Sequence, residues 1–585
     1  MRHVRTTHAG PRSRTDIALG LTAIVTAIGA VPFTPQVLTA QRATTPATPF
    51  TVIETSIPDL QAALAAKRIT SRQLVEQYLV RIATYDQKLR ATITVNPRAL
   101  ADADALDRER AQGRLRGPLH GIPVALKDNI LTKDLRTTGG ALAFNDLVPP
   151  YDATLTTNLR NAGAIIIAKA QLTELANWVA SGMPGNYNAV NGQGLNPWDP
   201  RTDPRAGFDD GRSVMQTGGS SSGIGTNVSF WAGNVGTETS GSILSPAHAN
   251  MLVGIKPTVG RISRYGVIPI TADQDTPGPM TRTVADAAIM LGAMEGAAPD
   301  PNDAATKVCT PPANRDYTKF LDAAALKGAR IGIPRAFFYD SVVSGGSARP
   351  RGGLTPAQRT VMSEVIAVLR AQGATIVDPV VIPSIVAPKA DDNLLDWNPC
   401  SGLDNARGQD ANCSNVLKYG MKRDFNAFLA TLGDKAPVPS LTALRQWNIA
   451  HQRAGAIKYG QANLDVSDEM DLRLDREKYE ADRRKDLRLT ATEGLDVVLK
   501  ANTLDALLFP GASSANIAAR PGYPSITVPY ALLPVTTPFP AGFEAKPAPF
   551  GVTFTAGACA EPRLVALAYA FEQATKKRHA PAGFP

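Results

Sequence analysis

The sequence predicts an α/β fold in which a large mixed β-sheet is covered on both faces by α-helices. Two observations carry this prediction. Helical apolar spacing in residues 153–162 is followed at once by Ala-Ile-Ile-Ile-Ala at 164–168, a continuously apolar segment typical of a strand buried on both faces. The 585 residues are 44% hydrophobic, which is enough for a large core. Because no internal repeat is visible, we expect one large domain over residues 54–585.

Two helices are predicted before the first candidate strand. Apolar residues recur at helical spacing in residues 57–67 and 71–85, and Thr70 with Gln73 forms a capping-box pattern at the start of the second helix. The apolar segment at 122–126 predicts a strand that leads into Lys127. The later predictions are a strand within 326–334, a helix at 355–372, a strand at 374–381, mostly helical structure over 385–500, and strands at 506–510 and 525–529.

The N-terminal residues have the pattern of a targeting segment. Four arginines lie within residues 2–14 and precede an apolar run at 17–31, which is short for a membrane span. Residues 1–40 are therefore predicted to be a signal peptide, with a retained N-terminal anchor as the alternative. Residues 41–53, rich in Thr, Pro and Ala, are the predicted linker. We expect an exported protein, periplasmic or secreted, that touches a membrane only if the anchor is retained.

Charge and cysteine content restrict the classes of partner. The formal net charge is +9, but the lysines and arginines are dispersed among acidic residues, so nucleic-acid binding is not expected. The four cysteines, Cys309, Cys400, Cys413 and Cys559, show no metal-site spacing. In an exported protein Cys400 and Cys413 suit a disulfide, although the sequence leaves free thiols equally open.

The stretch from Thr217 to Ser242 is the strongest candidate for a functional site. It is rich in Gly, Ser and Thr, yet it also contains Phe230 and Trp231, which a solvated linker does not carry. Neither phosphate-binding glycine pattern fits, because the stretch contains no Lys and its glycine spacing breaks at Val228. A serine-based acyl transfer remains.

Two serine chemistries are compatible with these residues alone. In the first, Gly-Ser-Ser-Ser-Gly at 219–223 is a nucleophile elbow with Ser221 as nucleophile, which requires a histidine base. In the second, Lys127 is the base, because an amine at the end of an apolar strand loses hydration and its neutral form is favoured. Taken alone, Lys127 also fits a surface lysine that ends a strand.

Several motifs in order along the chain select between these possibilities. They are Gly-Gly-Ser-Ser-Ser-Gly at 218–223, Gly-Thr-Glu-Thr-Ser-Gly-Ser-Ile at 236–243, and the segments 254–264, 275–286 and 561–573. With Lys127, they make the sequence similar to the amidase signature family of Ser–cis-Ser–Lys amidases. The resemblance extends from about residue 54 to the end and is weakest in the middle third.

The resemblance implies both a fold and a mechanism. The fold is the family's mixed sheet with helices on both faces. The activity is hydrolysis of a carboxylic amide C–N bond, with a small-molecule amide and water as substrates and no cofactor or metal. Ser242 corresponds to the nucleophile, Ser220 to the proton relay that follows a cis peptide bond, and Lys127 to the base. The oxyanion hole corresponds to the backbone N–H groups of Thr239, Ser240, Gly241 and Ser242.

The substrate contacts are less well specified. Residues 172–216 form a long segment poor in apolar residues that leads into the serine stretch, so we expect it to line the substrate cleft. The candidate contacts are Trp178, Met183 and Ser221, with Tyr187 and Trp198 as further aromatic candidates. The alternative is that these large side chains only attach the segment to the body of the protein. The substrate's identity and the oligomeric state are left open.

The spacing of the two serines departs from the family pattern. Ser220 and Ser242 are 22 positions apart, two fewer than the resemblance leads us to expect, and we predict a shortened helix end between them. This departure keeps a second class of function open, a non-catalytic amide-binding protein. A Ser–His esterase centred on Ser221 is the other alternative.

Overall fold

The computed structural model describes residues 50–347, 349–402 and 412–584. The predicted signal peptide or anchor at 1–40, and the predicted linker up to residue 49, lie outside the described residues. Phe50–Pro585 form one compact unit. In the described ranges, no helix combines the length and the apolar composition needed to cross a bilayer.

Helices and strands alternate along most of the chain. The α-helices are α1 Ile57–Ala65, α2 Ser71–Leu89, α3 Ala99–Ala111, α4 Thr154–Asn161, α5 Ile224–Asn227, α6 Leu244–Ala249, α7 Val284–Met294, α8 Pro356–Ala371, α9 Pro383–Val386, α10 Val416–Thr431, α11 Leu441–Ala450, α12 Ala462–Asp468, α13 Arg476–Leu487, α14 Asp496–Ala501, α15 Ala515–Ala519 and α16 Glu561–Thr575. The predicted helices all occur, with ends shifted by a few residues.

Eleven strands form one mixed sheet in the order β1-β3-β2-β6-β8-β7-β14-β15-β13-β9-β10. The strands are β1 Thr92–Val95, β2 Pro123–Lys127, β3 Ile165–Ala170, β4 Tyr187–Asn188, β5 Gly192–Gln193, β6 Gly233–Glu238, β7 Val253–Lys256, β8 Thr276–Thr281, β9 Arg330–Pro334, β10 Thr375–Val380, β11 Asn398–Pro399, β12 Cys413–Ser414, β13 Ala506–Pro510, β14 Ser525–Leu533 and β15 Ala548–Thr555. The pairs β4–β5 and β11–β12 form two separate small sheets.

The central strands are covered on both faces, as predicted. Every residue of β2, β3, β6, β8 and β13 is buried, so each strand has packing partners above and below the sheet. β3, β2 and β6 run parallel to one another, whereas β6 through β13 alternate in direction. The predicted mixed α/β fold is confirmed.

The adjacency of β2 and β6 places the candidate site. These strands are parallel neighbours, with Leu126 opposite Val235. Because the carboxyl ends of parallel strands meet at the same edge of a sheet, Lys127 at the end of β2 lies beside Thr237 near the end of β6. Residues more than 100 positions apart in the sequence are thereby brought into contact.

The predicted local signals are present in the elements themselves. Thr70 accepts a hydrogen bond from the backbone of Gln73, and the side chain of Gln73 accepts one from the backbone of Thr70, which completes the capping box of α2. Between the two serines, α5 has four residues, and β6 begins at Gly233. The motifs at 218–223 and 236–243 lie on either side of this helix.

All four cysteines of the sequence are disulfide-bonded. Cys400 is bonded to Cys413, the pairing that the sequence left open, across a separation of 13 residues. Cys309 is bonded to Cys559 across 250 residues, a pairing that no spacing rule indicates.

Candidate active site

Lys127 is a fully buried amine at the end of a central strand. Its Nζ is within hydrogen-bond distance of Oγ of Ser220 at 2.9 Å, of Oγ1 of Thr237 at 2.9 Å and of the carbonyl oxygen of Thr237 at 3.2 Å. Burial lowers the pKa of Lys127 from 10.5 to about 7, while the negative charges of Asp275 and Glu238 act in the opposite direction. The alternative of a surface lysine is therefore wrong, and the side chain can be neutral at ordinary pH.

Thr237 and Asn129 hold the amine in one orientation. A neutral amine has two N–H bonds and one lone pair. The carbonyl and hydroxyl oxygens of Thr237 are placed to accept the two N–H bonds, and Nδ2 of Asn129 donates to the same hydroxyl at 3.0 Å. The lone pair of Lys127 is then left for the hydroxyl of Ser220, which is the geometry a proton acceptor requires.

Ser220 lies in a tight turn whose backbone is secured from several sides. The peptide bond between Gly219 and Ser220 is cis, as the resemblance implied. The backbone N–H of Thr173 donates to the carbonyl of Ser220 at 2.9 Å. Gly218 has a φ of 68°, and a side chain there would meet the backbone of Pro246 at 2.6 Å, so the turn requires glycine at this position.

The predicted oxyanion segment, residues 239–242, is held from both ends. At its start, the hydroxyl of Thr239 donates to Oδ1 of Asp275 at 2.5 Å. At its end, one carboxylate oxygen of Glu238 accepts hydrogen bonds from the backbone N–H groups of Ile243 and Leu244 at 2.7 and 2.9 Å. Gly241 between these anchors has a φ of 88°, a conformation that glycine adopts without strain.

Asp275 is a second perturbed group in this region. Its Oδ2 accepts backbone hydrogen bonds from Ile270 and Thr271 at 2.8 and 3.0 Å. Burial raises the pKa of Asp275 to about 7, against the effect of the hydrogen bond from Thr239. A buried carboxyl and a buried amine with similar pKa values in one site are typical of a catalytic centre.

Ser242 lies where the buried network meets solvent. The backbone N–H of Ser221 donates to the carbonyl of Ser242 at 3.1 Å, which joins the two halves of the site. Ser242 is 8% exposed, whereas Ser220 and Lys127 are fully buried. The catalytic cavity has a volume of about 350 Å³ and is lined by Thr239, Ser240 and Ser242, by Gly219 and Asn177, by Trp178, Ile270 and Leu417, and by other residues.

The other predicted contacts are placed differently. Trp178 lines the catalytic cavity and also donates from Nε1 to Ser467, so it both faces the cavity and attaches its segment to the body. Met183 lines a neighbouring cavity. Ser221 is fully buried behind the cavity wall, with its hydroxyl donating to the carbonyl of Thr237 and accepting from its N–H. Tyr187 packs edge to face on Tyr459.

Three of the four histidines in the described residues contact groups other than Ser221. Nδ1 of His248 accepts from the backbone of Gly551, and the ring nitrogens of His120 contact the backbones of Leu106 and Arg116. His451 stacks on Trp447. The hydroxyl of Ser221 is hydrogen-bonded to backbone atoms, and this arrangement does not resemble a nucleophile–base pair.

Sequence reasoning did not single out four supporting residues: Asn129, Thr237, Glu238 and Asp275. Glu238 and Thr237 were inside the motif at 236–243, and Asp275 begins the motif at 275–286. Most of their neighbours in the sequence are polar residues or glycine, so no local apolar pattern indicates that these side chains are buried and need partners.

The comparisons with known proteins agree with this geometry. A sequence model of the amidase family matches residues 73–565. The chain belongs to the amidase signature family. A probable amidase of Arabidopsis thaliana is 34% identical over 539 residues, which are 91% of this chain and 92% of that protein.

Solved structures of amidases also resemble this chain closely. The native peptide amidase of Stenotrophomonas maltophilia is 35% identical with a TM-score of 0.73, and the alignment covers 90% of this chain and 98% of that one. An amidase family protein of Bacillus anthracis is 29% identical with a TM-score of 0.74, over 91% of this chain and 92% of that one. The protein is therefore an amidase, a hydrolase acting on amide bonds.

Proposed function

We propose that this amidase cleaves carboxylic amides through an acyl-enzyme on Ser242, with Ser220 as proton relay and Lys127 as base. One observation carries the proposal: the fully buried Nζ of Lys127 lies 2.9 Å from Oγ of Ser220, and Ser220 directly follows Gly219, which lines the same cavity as Ser242. A buried neutral lysine next to a serine hydroxyl is a proton acceptor, and the substrate reaches the adjacent Ser242 from the cavity.

The protons balance over the two half-reactions. In the first, Oγ of Ser242 bonds to the amide carbon, its proton passes to Ser220, and Ser220 passes its own proton to Lys127. The resulting ammonium returns a proton through Ser220 to the leaving nitrogen as the C–N bond breaks, so an amine departs. In the second, water attacks the ester carbon by the same proton route, and the carboxylic acid and free Ser242 are restored.

The oxyanion segment supplies the electrostatic part of the proposal. Negative charge develops on the carbonyl oxygen as Ser242 attacks, and the N–H groups of residues 239–242, in the segment that ends at Ser242, are the proposed donors to that oxygen. Removing one such donor typically costs about 10²–10³ in rate. The hydrogen bonds from Thr239 to Asp275 and from the backbone after Ser242 to Glu238 support this role, because they restrict the segment before the substrate arrives.

The Ser221 esterase is not favoured as an alternative. Its nucleophile would have to give up two hydrogen bonds to the backbone of Thr237 before it could attack a substrate. The non-catalytic binding protein is disfavoured by the intact contact between Lys127 and Ser220 despite the shortened spacing of the serines.

The test is covalent labelling with a fluorophosphonate that reacts with activated serines. Intact-mass spectrometry should show one adduct in the parent protein, none in Ser242→Ala, and a much slower reaction in Lys127→Ala. Peptide mapping should place the adduct on Ser242. Ser221→Ala serves as the control for a neighbouring serine and should still label.

The opposite outcomes identify the alternatives. An adduct that maps to Ser221 and persists in Ser242→Ala would replace the proposal with the elbow esterase. A protein that binds amides but never acquires an adduct under any condition would be the non-catalytic amide-binding protein.

We also propose that the protein is exported. The basic and apolar N-terminal pattern suits a signal peptide, and two disulfides are typical of proteins from oxidising compartments. The test is expression of the full chain with its own N-terminus in a bacterium. The expected result is protein outside the cytoplasm with a mass reduced by a removed N-terminal segment, whereas a full-length product retained in the cytoplasm would contradict it.

A further inference from the structure

A second cavity adjoins the catalytic cavity. It has a volume of about 360 Å³ and shares Asn177, Gly182 and Gly219 with the catalytic cavity as lining residues. We call it the amine-side cavity, and it also includes Thr217, Gly218, Met183, Asp203, Arg205, Phe208 and Arg212. It contains none of the predicted oxyanion residues, so it lies to one side of the reacting carbon.

The position of this cavity relative to Ser220 indicates which half of a substrate it faces. Thr217, Gly218 and Gly219 line it, and they are the three residues directly before Ser220. In the proposed mechanism Ser220 delivers the proton to the leaving nitrogen, so that nitrogen lies on the Ser220 side of the acyl carbon. A substituent on the nitrogen therefore extends toward this cavity, and a primary amide leaves it empty.

Part of the cavity wall is an aromatic ring packed against two guanidinium groups. Arg205 and Arg212 lie over the ring of Phe208, at 4.2 and 4.9 Å from its centre. Each arginine is also paired with the aspartate two residues before it, through Nε and Nη2. These pairs fix both side chains in place.

The pairing leaves one edge of each guanidinium group unused. Among the described residues, Nη1 of Arg205 and Nη1 of Arg212 have no hydrogen-bond partner, and each side chain is 27% exposed. An arginine held by its own aspartate still donates from its free edge, and planar oxygen acceptors such as a carbonyl or a carboxylate match that edge. Since each positive charge is already compensated, the acceptor needs no charge of its own.

We propose that the amine-side cavity binds the leaving half of a secondary amide whose amine carries a carbonyl or carboxylate oxygen two bonds from the nitrogen-bearing carbon. Amines of this chemistry are amino acids and amino-acid amides. The inference rests on the proposed acyl-enzyme mechanism and adds the substrate class for its amine side. Arg205 and Arg212 are then specificity-determining residues that bind the oxygen of the leaving amine.

Acyl transfer to added amines tests this directly, because an amine that attacks the acyl-enzyme occupies the leaving-group position. A p-nitrophenyl ester forms the acyl-enzyme on Ser242 and releases p-nitrophenolate. The amine nitrogen then bonds to the acyl carbon and its proton passes through Ser220 to Lys127. As the Ser242 ester bond breaks, the proton returns through Ser220 to Oγ of Ser242, which restores the free hydroxyl. The measured quantity is the ratio of amide to carboxylic acid product at equal concentrations of free amine.

Three amine acceptors of similar size separate the effect of a carbonyl or carboxylate oxygen from that of the aromatic side chain. They are phenethylamine, which lacks an oxygen, phenylalaninamide, which carries a carbonyl, and phenylalanine, which carries a carboxylate. We expect one or both oxygen-bearing amines to give a product ratio about tenfold above that of phenethylamine, with saturation at high amine concentration. A preference for phenylalaninamide identifies the carbonyl as the ligand, and a preference for phenylalanine identifies the carboxylate.

Variants assign the preference to the two arginines. Arg205→Met and Arg212→Met should each reduce the ratio several-fold, and the double variant should bring all three amines to parity. Arg201→Met is the matched control, because Arg201 is paired with Asp199 and stacked on Phe543 in the same manner but lines neither cavity. The product ratio does not depend on the fraction of folded enzyme, so partial unfolding of a variant leaves the test valid.

Two results would overturn the inference. Equal ratios for all three amines in the parent enzyme would show that the cavity does not select an oxygen-bearing amine. A preference that survives the double variant would place the selectivity elsewhere. Failure of the mechanism itself is distinguishable, since p-nitrophenolate release would then not depend on Ser242.

Discussion

Nζ of Lys127 lies 2.9 Å from the hydroxyl oxygen of Ser220, and neither side chain is exposed to solvent. The two residues are 93 positions apart in the sequence. The pairing of β2 with β6 places Thr237 beside Lys127, and the hydrogen bonds of Ser221 with Thr237 bring the neighbouring Ser220 to the same point. Since no carboxylate of residues 50–347, 349–402 and 412–584 forms an ion pair with this buried amine, its protonation costs more than it would in water. This contact links the pH dependence of the reaction to the stability of the fold.

Activity should rise with pH through the titration of Lys127. Burial lowers the pKa of this amine to about 7, so below that pH it is an ammonium that cannot accept the proton of Ser220. We expect log kcat/KM of an amide substrate to fall by one unit per pH unit on the acidic side. Lys127→Arg should lose activity at every pH, because a guanidinium stays protonated. A profile that is flat from pH 5.5 to 8 in the parent enzyme would contradict the role of Lys127 as base.

The hydroxyl of Thr239 should matter for turnover more than for binding. It donates to Asp275 and restricts the start of the oxyanion segment, which acts only as charge develops on the substrate oxygen. Thr239→Val removes this hydroxyl but keeps the backbone N–H, and it should lower kcat by about tenfold to a hundredfold with KM little changed. Thr239→Ser keeps the hydroxyl and should retain most of the activity. Equal losses in the two variants would show that the methyl group, and not the hydrogen bond, is what the site needs.

The same buried amine should lower the stability of the protein. Between about pH 7 and pH 10.5 the unfolded chain binds a proton at Lys127 that the folded protein does not bind. The buried amine therefore lowers the free energy of unfolding most below about pH 7, and this destabilisation disappears above about pH 10.5. Lys127→Met removes the titrating group, so its free energy of unfolding relative to the parent should increase as the pH falls, by a few kcal/mol at most.

Denaturant unfolding of the two proteins between pH 7 and pH 9.5 measures this difference. Lys127→Met also removes the hydrogen bonds to Ser220 and Thr237, which changes the free energy of unfolding by the same amount at every pH. The change of the free-energy difference with pH therefore reports the pKa of Lys127. Ser220→Ala is the control, since it disturbs the same network without removing a titrating group. A difference between Lys127→Met and the parent that does not change with pH would mean that the pKa of Lys127 is not lowered in the folded state.

The sequence predicts those parts of the structure that depend on local pattern. The strand at 164–168 follows from a continuous apolar run, and α2 follows from apolar spacing and the pairing of Thr70 with Gln73. Lys127, Ser220 and Ser242 follow from motifs whose order along the chain is itself informative. For the strand and the helix the deciding signal lies within about a dozen neighbouring residues, and each motif is equally short.

Contacts between distant segments could not be predicted in the same way. Asp275 and Thr239 meet because β6 and β8 are antiparallel neighbours, with Glu238 opposite Thr276, and nothing local to either residue indicates that register. The wall of the amine-side cavity is an intermediate case. The sequence carries an aspartate two positions before each of Arg201, Arg205 and Arg212, a repeated local pattern that indicates paired side chains but not the cavity they face.

The disulfide between Cys309 and Cys559 should stabilise the fold more than the one between Cys400 and Cys413. In the chain-entropy account, a cross-link restricts the unfolded chain more when it closes a longer loop, and these loops span 250 and 13 residues. The free energy of unfolding should therefore fall further in Cys309→Ala/Cys559→Ala than in Cys400→Ala/Cys413→Ala, with a difference of about 2–3 kcal/mol. Denaturant unfolding of both double variants without reductant measures it. The Cys400→Ala/Cys413→Ala variant should also raise KM, because Cys400 is next to Ser401, which lines the catalytic cavity. If loss of the Cys400–Cys413 disulfide destabilised the protein more, packing around Cys400 in the folded state would contribute more than loop entropy.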